Sequence, residues 1–283
     1  RAPAGAAEHS QASAPQRYRP PPASLRFSAD TPKRMLHARR GVAAIEGNGR
    51  FHGTGFLIDV DLVATCRHCV QDHETRALVR PSHLVVRFDH VENDARGRAY
   101  PVLEFTRVSE SHDFAVLRIG PGKGGALPTP ERVLPLATDR TALDTPIYIW
   151  SHDLGRPMTL GDGGRVVFPF RATSRDLHRI ENRLRIELAH PGAVITDVRQ
   201  AYGPATAGFH RLISPIWASQ PIHGIEAHAD HGSSGAPVFN KHTHEVIGML
   251  FAGPDRGPHA AASSWHGHQA VLPAAIIHTE LAR

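Results

Sequence analysis

The chain has 283 residues, of which 41% are hydrophobic, and carries a formal net charge of +5 at pH 7. This length suffices for one large domain or two small ones, and no run of about 18 apolar residues predicts a membrane span. The 32 Lys and Arg residues are scattered, without a basic run interleaved with aromatics, so neither a nucleic acid nor a membrane is expected as a partner.

The first 35 residues are rich in Pro, Ala, Ser and Gln, with Pro20-Pro21-Pro22 near their middle. This composition predicts a disordered or extended arm over residues 1–35. The beginning of the chain lacks a charged segment followed by an apolar stretch, so no signal peptide is expected. The predicted location is therefore the cytoplasm.

From Gly41 onward, short apolar segments alternate with Gly, Pro and Asp turns, which is typical of an all-β protein. Six predicted strands fit one small antiparallel barrel, and the Gly- and Pro-rich stretch 120–130 predicts a linker after it. Pro273 then begins a predicted helix at the end of the chain. The predicted strands span 41–46, 53–59, 62–66, 83–89, 100–107 and 113–119, then 146–150, 164–169, 183–189, 222–227, 236–239, 245–251 and 269–272.

Three segments carry residues suited to nucleophilic catalysis. His68 follows Ala64-Thr65-Cys66-Arg67, Asp113 precedes Phe114-Ala115-Val116-Leu117, and Ser234 lies in Gly232-Ser233-Ser234-Gly235. A serine hydroxyl needs a base to take its proton, and the imidazole needs a carboxylate to hold its tautomer. The order His, Asp, Ser differs from that of the subtilisin and α/β-hydrolase arrangements.

These segments resemble the trypsin-like (chymotrypsin-fold) serine proteases, most closely the bacterial glutamyl endopeptidase and HtrA-like branches. The upstream segment Gly53-Thr54-Gly55-Phe56-Leu57-Ile58 is similar to a strand of that family. The resemblance covers roughly residues 38–283. It implies two six-stranded antiparallel β-barrels with the active site between them and a short C-terminal helix. It also implies a serine endopeptidase that acts through an acyl-enzyme and needs no cofactor or metal.

The resemblance also implies the role of each site residue. His68 is the predicted base, Asp113 orients it, and Ser234, the third residue of Gly-x-Ser-Gly, is the predicted nucleophile rather than Ser233. Gly232 and Gly235 allow a tight turn, which is predicted to aim the N–H groups of Gly232 and Ser234 at one oxyanion. Family members activated by N-terminal insertion carry Asp where this chain has Ser233, so that mode of activation is not expected here.

A substrate pocket is predicted from the same resemblance. His228, six residues before Ser234, falls at the floor, and Ala252 and Gly253 fall on the far wall. A His at the floor does not imply a preference for Arg or Lys. Histidines in this region suggest, as one hypothesis, a preference for acidic side chains.

Cys66 and Cys69 are the only cysteines of the chain. In animal relatives the cysteine beside the catalytic histidine is bridged to the neighbouring strand, where this chain has Gly53. Both cysteines are therefore expected to be buried free thiols, as in a reducing compartment. Two alternatives are weaker: a zinc site among the histidines between 223 and 268, and a Cys-x-x-Cys redox pair, which lacks the expected βαβ context.

The expected domain organisation is an arm over 1–35 and a protease domain over 36–283. Within the latter, the first barrel covers 36–120, the linker 121–135, and the second barrel with the C-terminal helix 136–283. Residues 171–221 are long for a barrel hairpin and predict an insertion that shapes the cleft.

The expected partners are a protein or peptide substrate and a regulatory partner or flanking domain. For a protease with no expected signal peptide and no Asp at position 233, the favoured interpretation is regulated intracellular proteolysis. One alternative is a non-catalytic binding module with the same fold, whose usual mark is a replaced triad residue. Another is a hydrolase that cleaves a different acyl bond.

Overall fold

A computed structural model describes residues 32–72, 74–91, 97–176, 178–180, 221–227, 229–253 and 268–283. It contains two closed antiparallel barrels of six strands each and a short helix at either end. The first barrel consists of β1 (Val42–Gly47), β2 (Arg50–Asp59), β3 (Leu62–Thr65), β4 (Leu84–Phe88), β5 (Arg98–Val108) and β6 (Ala115–Ile119). The second consists of β7 (Pro146–Ser151), β8 (Thr159–Phe168), β9 (His223–Glu226), β10 (Pro237–Asn240), β11 (Val246–Ala252) and β12 (His268–Pro273). The helix that precedes β1 is α1 (Lys33–Ala38), and the helix that follows β12 is α2 (Ala274–Leu281).

The two barrels have the same strand order. The first closes as β1-β2-β3-β6-β5-β4, and the second repeats this order as β7-β8-β9-β12-β11-β10. His68 lies in the connection after β3 and Ser234 in the connection after β9. Because β9 occupies in its barrel the place of β3, the predicted base and nucleophile come from corresponding loops of the two barrels.

Local sequence explains the hairpin between β1 and β2 in the first barrel. Gly47 pairs with Arg50, so only Asn48 and Gly49 connect β1 to β2. Both have positive φ, 51° and 73°, as a type I′ turn requires. This turn fixes the register of β2, the strand that faces the second barrel.

Strand β8 begins at Thr159, five residues before the predicted start at 164. The Gly-Asp-Gly-Gly segment 161–164 is typical of a turn, but here it continues the strand. Gly163, with φ at +82°, is the extra residue between the pairs Ile147–Gly164 and Tyr148–Asp162. A glycine in this conformation forms a β-bulge, and the ladder continues beyond it.

Strand residues alternate between barrel interiors and the space between the barrels. In the second barrel, Ile147 and Ile149 face the interior, whereas Tyr148 and Trp150 join the core between the barrels. In the first barrel, Leu57 lies inside and Phe56 joins the same shared core. Both faces of these strands are buried, which explains their continuous apolar runs. Cys66 and Cys69 belong to the shared core.

The terminal helices tie the barrels together. The indole Nε1 of Trp150 donates to the carbonyl oxygen of Met35 in α1 at 2.9 Å. In α2, the fully buried carboxylate of Glu280 accepts from Arg107 at 2.7 Å and contacts the ring of His112 at 2.7 Å. Helix α2 thus reaches from the second barrel to the first and supports the turn that carries Asp113.

The predicted fold class, two six-stranded antiparallel barrels with a short C-terminal helix, is confirmed. The predicted strand 183–189 and most of the predicted insertion at 171–221 lie outside the described residues, as does the arm up to residue 31. The domain boundaries stay predictions, and α1 lies across the boundary at residue 35. Over the part of the chain that is described, none of the helices has the length and apolar character needed to cross a membrane.

Candidate active site

His68 and Asp113 meet at one end of the first barrel. His68 lies in a short 3-10 helix, Arg67–Val70, directly after β3, and Asp113 lies in the turn between β5 and β6. The Asp113 carboxylate accepts from the backbone N–H of His68 at 2.9 Å and contacts its Nδ1 at 2.5 Å. The aspartate side chain is 4% exposed and that of the histidine 25%. A buried carboxylate therefore holds His68 at two points, its backbone N–H and its ring, while part of the side chain faces the solvent.

At Gly232 and Gly235 the surrounding atoms lie too close for any side chain. Gly232 has φ at +95°, and a Cβ there would lie 2.5 Å from the ring of Phe51. Gly235 has φ at +86°, and a Cβ there would lie 1.9 Å from the carbonyl oxygen of Thr54. Both the conformation and the lack of space require glycine. This turn, residues 232–235, is called the nucleophile loop below.

Thr54 of β2 connects the nucleophile loop to the first barrel. Its N–H donates to the carbonyl oxygen of Ser234 at 2.8 Å, and its hydroxyl donates to that of Gly232 at 2.9 Å. The same hydroxyl accepts from the N–H of His152 at 3.1 Å. Thr54 is fully buried, and its two bonds to Gly232 and Ser234 fix the nucleophile loop against the barrel that carries His68. The motif analysis did not single out Thr54 itself.

The N–H groups of the nucleophile loop differ in their partners. That of Ser233 donates to Asp230 at 3.0 Å and that of Gly235 to Leu250 at 2.7 Å. Within the described residues, the N–H groups of Gly232 and Ser234 have no acceptor in the protein. These are the two donors predicted for the oxyanion hole, and unpaired N–H groups of this kind can receive a developing negative charge.

A buried carboxylate supports Ser233. The Ser233 hydroxyl donates to Asp153, which also accepts from Ser151 at 2.7 Å and Thr159 at 3.2 Å. Asp153 is 7% exposed and lies just after β7. Ser233 cannot form the ion pair that the resemblance associates with its position, but its side chain nevertheless contacts a carboxylate. Sequence reasoning missed Asp153 because the two residues are 80 positions apart.

Cys66 and Cys69 lie in the core between the barrels, next to the nucleophile loop. Both are free and buried, as expected. A Cβ at Gly53 would lie 2.3 Å from the Sγ of Cys69, so residue 53 is indeed its neighbour but offers no second thiol. The Sγ of Cys69 lies 3.5 Å from the carbonyl oxygen of Ser234. That of Cys66 lies 3.4 Å from the carbonyl oxygen of Leu250.

Cys66, His68 and Cys69 influence the pKa values of one another. A hydrogen bond with Cys66 lowers the pKa of Cys69 to about 5 despite burial, and the charge of His68 contributes. Burial and the contact with Cys69 raise the pKa of the Cys66 thiol. Burial alone would lower the pKa of His68, but the charges of Cys69 and Asp113 outweigh it, so this pKa lies well above its ordinary value.

The predicted pocket is only partly described. Ala252 ends β11 and is half-buried, and the exposed Gly253 follows it. A Cβ at Gly253 would lie 3.2 Å from the side-chain oxygen of Gln269, a buried residue of β12 that the sequence did not point to. His228 lies outside the described residues, so its place at the pocket floor stays a prediction.

Comparison with known proteins adds a family and a fold. Residues 53–249 match the family model described as the trypsin-like peptidase domain. Among solved structures, the Rv3671c protease from M. tuberculosis H37Rv, as an inactive serine-to-alanine mutant, is 19% identical with a TM-score of 0.53, and 88% of each chain is covered. Its active form is 18% identical with a TM-score of 0.54, covering 88% of this chain and 82% of that one. Likeness at these identities concerns the fold. None of the curated proteins matches the chain.

The Asp153 contact generates a prediction. In Asp153→Ala the hydroxyl of Ser233 loses its buried acceptor, at a cost of about 1–3 kcal/mol, and the nucleophile loop is less well held. We expect kcat for peptide hydrolysis to fall roughly 10–100-fold with little change in KM. Ser233→Ala should have a milder effect, because Asp153 keeps its contacts with Ser151 and Thr159.

The exposed residue Asp139 supplies the matched control. Asp139→Ala should leave kcat and KM unchanged. Steady-state kinetics with one peptide substrate, together with melting temperatures, would check all three variants. Equal kcat in Asp153→Ala and wild type would show that Asp153 does not position the loop.

Proposed function

We propose, from the premise that this chain belongs to the trypsin-like peptidase family, that it is a serine endopeptidase with Ser234 as nucleophile. The observation that carries this proposal is the two-point contact between Asp113 and His68, placed beside a loop whose glycines no other residue could replace. The expected substrate is a peptide segment of a protein.

The first half of the proposed reaction forms the acyl-enzyme. His68 accepts the hydroxyl proton of Ser234 as the oxygen attacks the carbonyl carbon of the peptide bond. Asp113 holds Nδ1 and stabilises the charge that develops on the ring. The N–H groups of Gly232 and Ser234 stabilise the oxyanion, an effect commonly worth about 3 kcal/mol for each donor. The proton then passes from His68 to the leaving amine.

The second half returns the enzyme to its starting state. Water loses a proton to His68 and attacks the ester of Ser234, and the same two N–H groups receive the second oxyanion. As the carboxylic acid product leaves, the proton passes from His68 to the Ser234 oxygen. The partial exposure of His68 gives water access to the ring. Two unbridged buried thiols beside the site favour a reducing compartment, and we propose an intracellular role on that basis.

Substitution of the three proposed catalytic residues tests this function. Ser234→Ala and His68→Ala should each abolish measurable turnover of a peptide library. Asp113→Asn should lose about 10⁴-fold in kcat, because the imidazole would adopt the wrong tautomer. Ser233→Ala is the matched control, since it changes the neighbouring serine and should keep most of the activity.

Two results would contradict the proposal. Near-normal activity in Ser234→Ala would assign the nucleophile elsewhere. A folded wild-type protein that cleaves no peptide but binds one would favour the binding module.

The pKa of His68 generates a prediction on pH dependence. The ring must be neutral to accept the serine proton, so kcat/KM should fall as the pH falls through this raised pKa. The fall of kcat/KM on the acid side of the pH profile should therefore occur at a higher pH than an ordinary histidine would give. In Cys69→Ala one of the charges that raise this pKa is removed, so the fall should move to lower pH.

Profiles of kcat/KM against pH for wild type and Cys69→Ala would measure the shift. An unchanged fall on the acid side in the variant would mean that Asp113 alone raises the pKa of His68.

A further inference from the structure

Three potential metal ligands converge beside the proposed base. The Sγ atoms of Cys66 and Cys69 and a ring nitrogen of His68 all lie within 4.8 Å of one another. A backbone hydrogen bond from the N–H of Cys69 to the carbonyl oxygen of Cys66, 3.1 Å long, closes the turn that brings them together. The cluster is therefore a product of local chain geometry.

The donor set and its size suit a zinc ion. Two thiolates and one imidazole are ligands that Zn²⁺ prefers, with bonds of about 2.3 Å to sulfur and about 2.0 Å to nitrogen. Around a tetrahedral ion such ligand atoms lie roughly 3.5–3.8 Å apart. The cluster already lies within 4.8 Å, so side-chain movements of about 1 Å would bring the three ligand atoms to these separations, and water would take the fourth position of the ion.

We propose that Cys66, His68 and Cys69 form an inhibitory site for a thiophilic divalent cation, with zinc as the ion that fits best. The bound state requires both thiols to be deprotonated and the ring to be neutral, and the two thiolates then neutralise the charge of the ion. Because Asp113 holds Nδ1, we assign Nε2 to the metal, and the proposed mechanism needs the same nitrogen for Ser234. A bound ion therefore removes the base. The inhibitory effect rests on the proposed function, whereas the metal binding does not.

The surroundings of the cluster support this assignment. Asp113 holds the Nδ1 of His68 at 2.5 Å, and carboxylates commonly orient metal-binding histidines in this way. Both cysteines are fully buried in the core between the barrels, which shields their sulfur atoms from solvent. The ring of His68 is 25% exposed and offers the route by which an ion would enter.

Cobalt binding tests the site without reference to activity. The full chain, kept reduced, would be titrated with Co²⁺ and its absorption spectrum recorded. We expect one equivalent to give the intense bands of a tetrahedral, thiolate-ligated ion, and Zn²⁺ to displace it. Cys66→Ala and Cys69→Ala should each weaken binding at least tenfold, since loss of a residue that only orients a metal ligand already costs about 10–100-fold. His278→Ala, an exposed histidine on α2, is the control and should bind as wild type does.

Inhibition provides the second readout. Zn²⁺ should inhibit peptide hydrolysis by the wild type, a chelator should restore it, and both cysteine variants should need at least tenfold more zinc for the same inhibition. If a variant fails to fold, X-ray absorption at the zinc edge of the wild type still reports the ligands, and we expect two sulfur atoms and nitrogen.

Three results would overturn the inference: a zinc ligand shell of nitrogen and oxygen alone, Co²⁺ spectra that do not depend on the cysteines, or equal inhibition of wild type and cysteine variants. A protein that binds Co²⁺ through its thiolates but cleaves no peptide would instead contradict the proposed function and leave the metal site in place.

Discussion

The backbone of β2 lies in direct contact with the nucleophile loop, and the geometry of the candidate site depends on this contact. Thr54 donates to the carbonyl oxygens of both Gly232 and Ser234, while its own carbonyl oxygen leaves no room for a Cβ at Gly235. The two barrels are thereby joined at the residues proposed to react. Small relative movements of the barrels would strain these short buried bonds, so the packing of each barrel contributes to the position of Ser234 relative to His68.

Two buried carboxylates support the two halves of the site. Asp113 holds the base in the first barrel, and Asp153 holds Ser233, next to the nucleophile, in the second. Burying a carboxylate is costly unless donors satisfy it, and each of these accepts from at least two groups. The polar contacts are local to their own barrels, and Thr54 connects them. The cysteines below add a third charged element, which raises the pKa of His68 and places metal ligands beside it.

The parts that could be predicted from the sequence depend on short-range patterns. Apolar segments and turn residues led to the strands, whereas the resemblance carried by local motifs led to the fold of two barrels and to His68, Asp113 and Ser234, whose catalytic roles stay predictions. The contact between Thr54 and Gly232 joins residues 178 positions apart, and nothing in either segment points to the other. Asp153 was not predicted because it lies in a connecting loop that carries no recognisable motif. The early start of β8 was missed because its glycines, which form a bulge, are typical of a turn.

A fluorophosphonate probe tests the central claim most directly, because an activated serine oxygen displaces fluoride and forms a stable bond to phosphorus. The labelled protein would be digested and the modified residue located by mass spectrometry. Our account predicts one label per chain, on Ser234, with labelling lost in His68→Ala and greatly slowed in Asp113→Asn. A folded wild-type protein that takes up no probe, or one labelled at Ser233 with Ser234 unmodified, would contradict it.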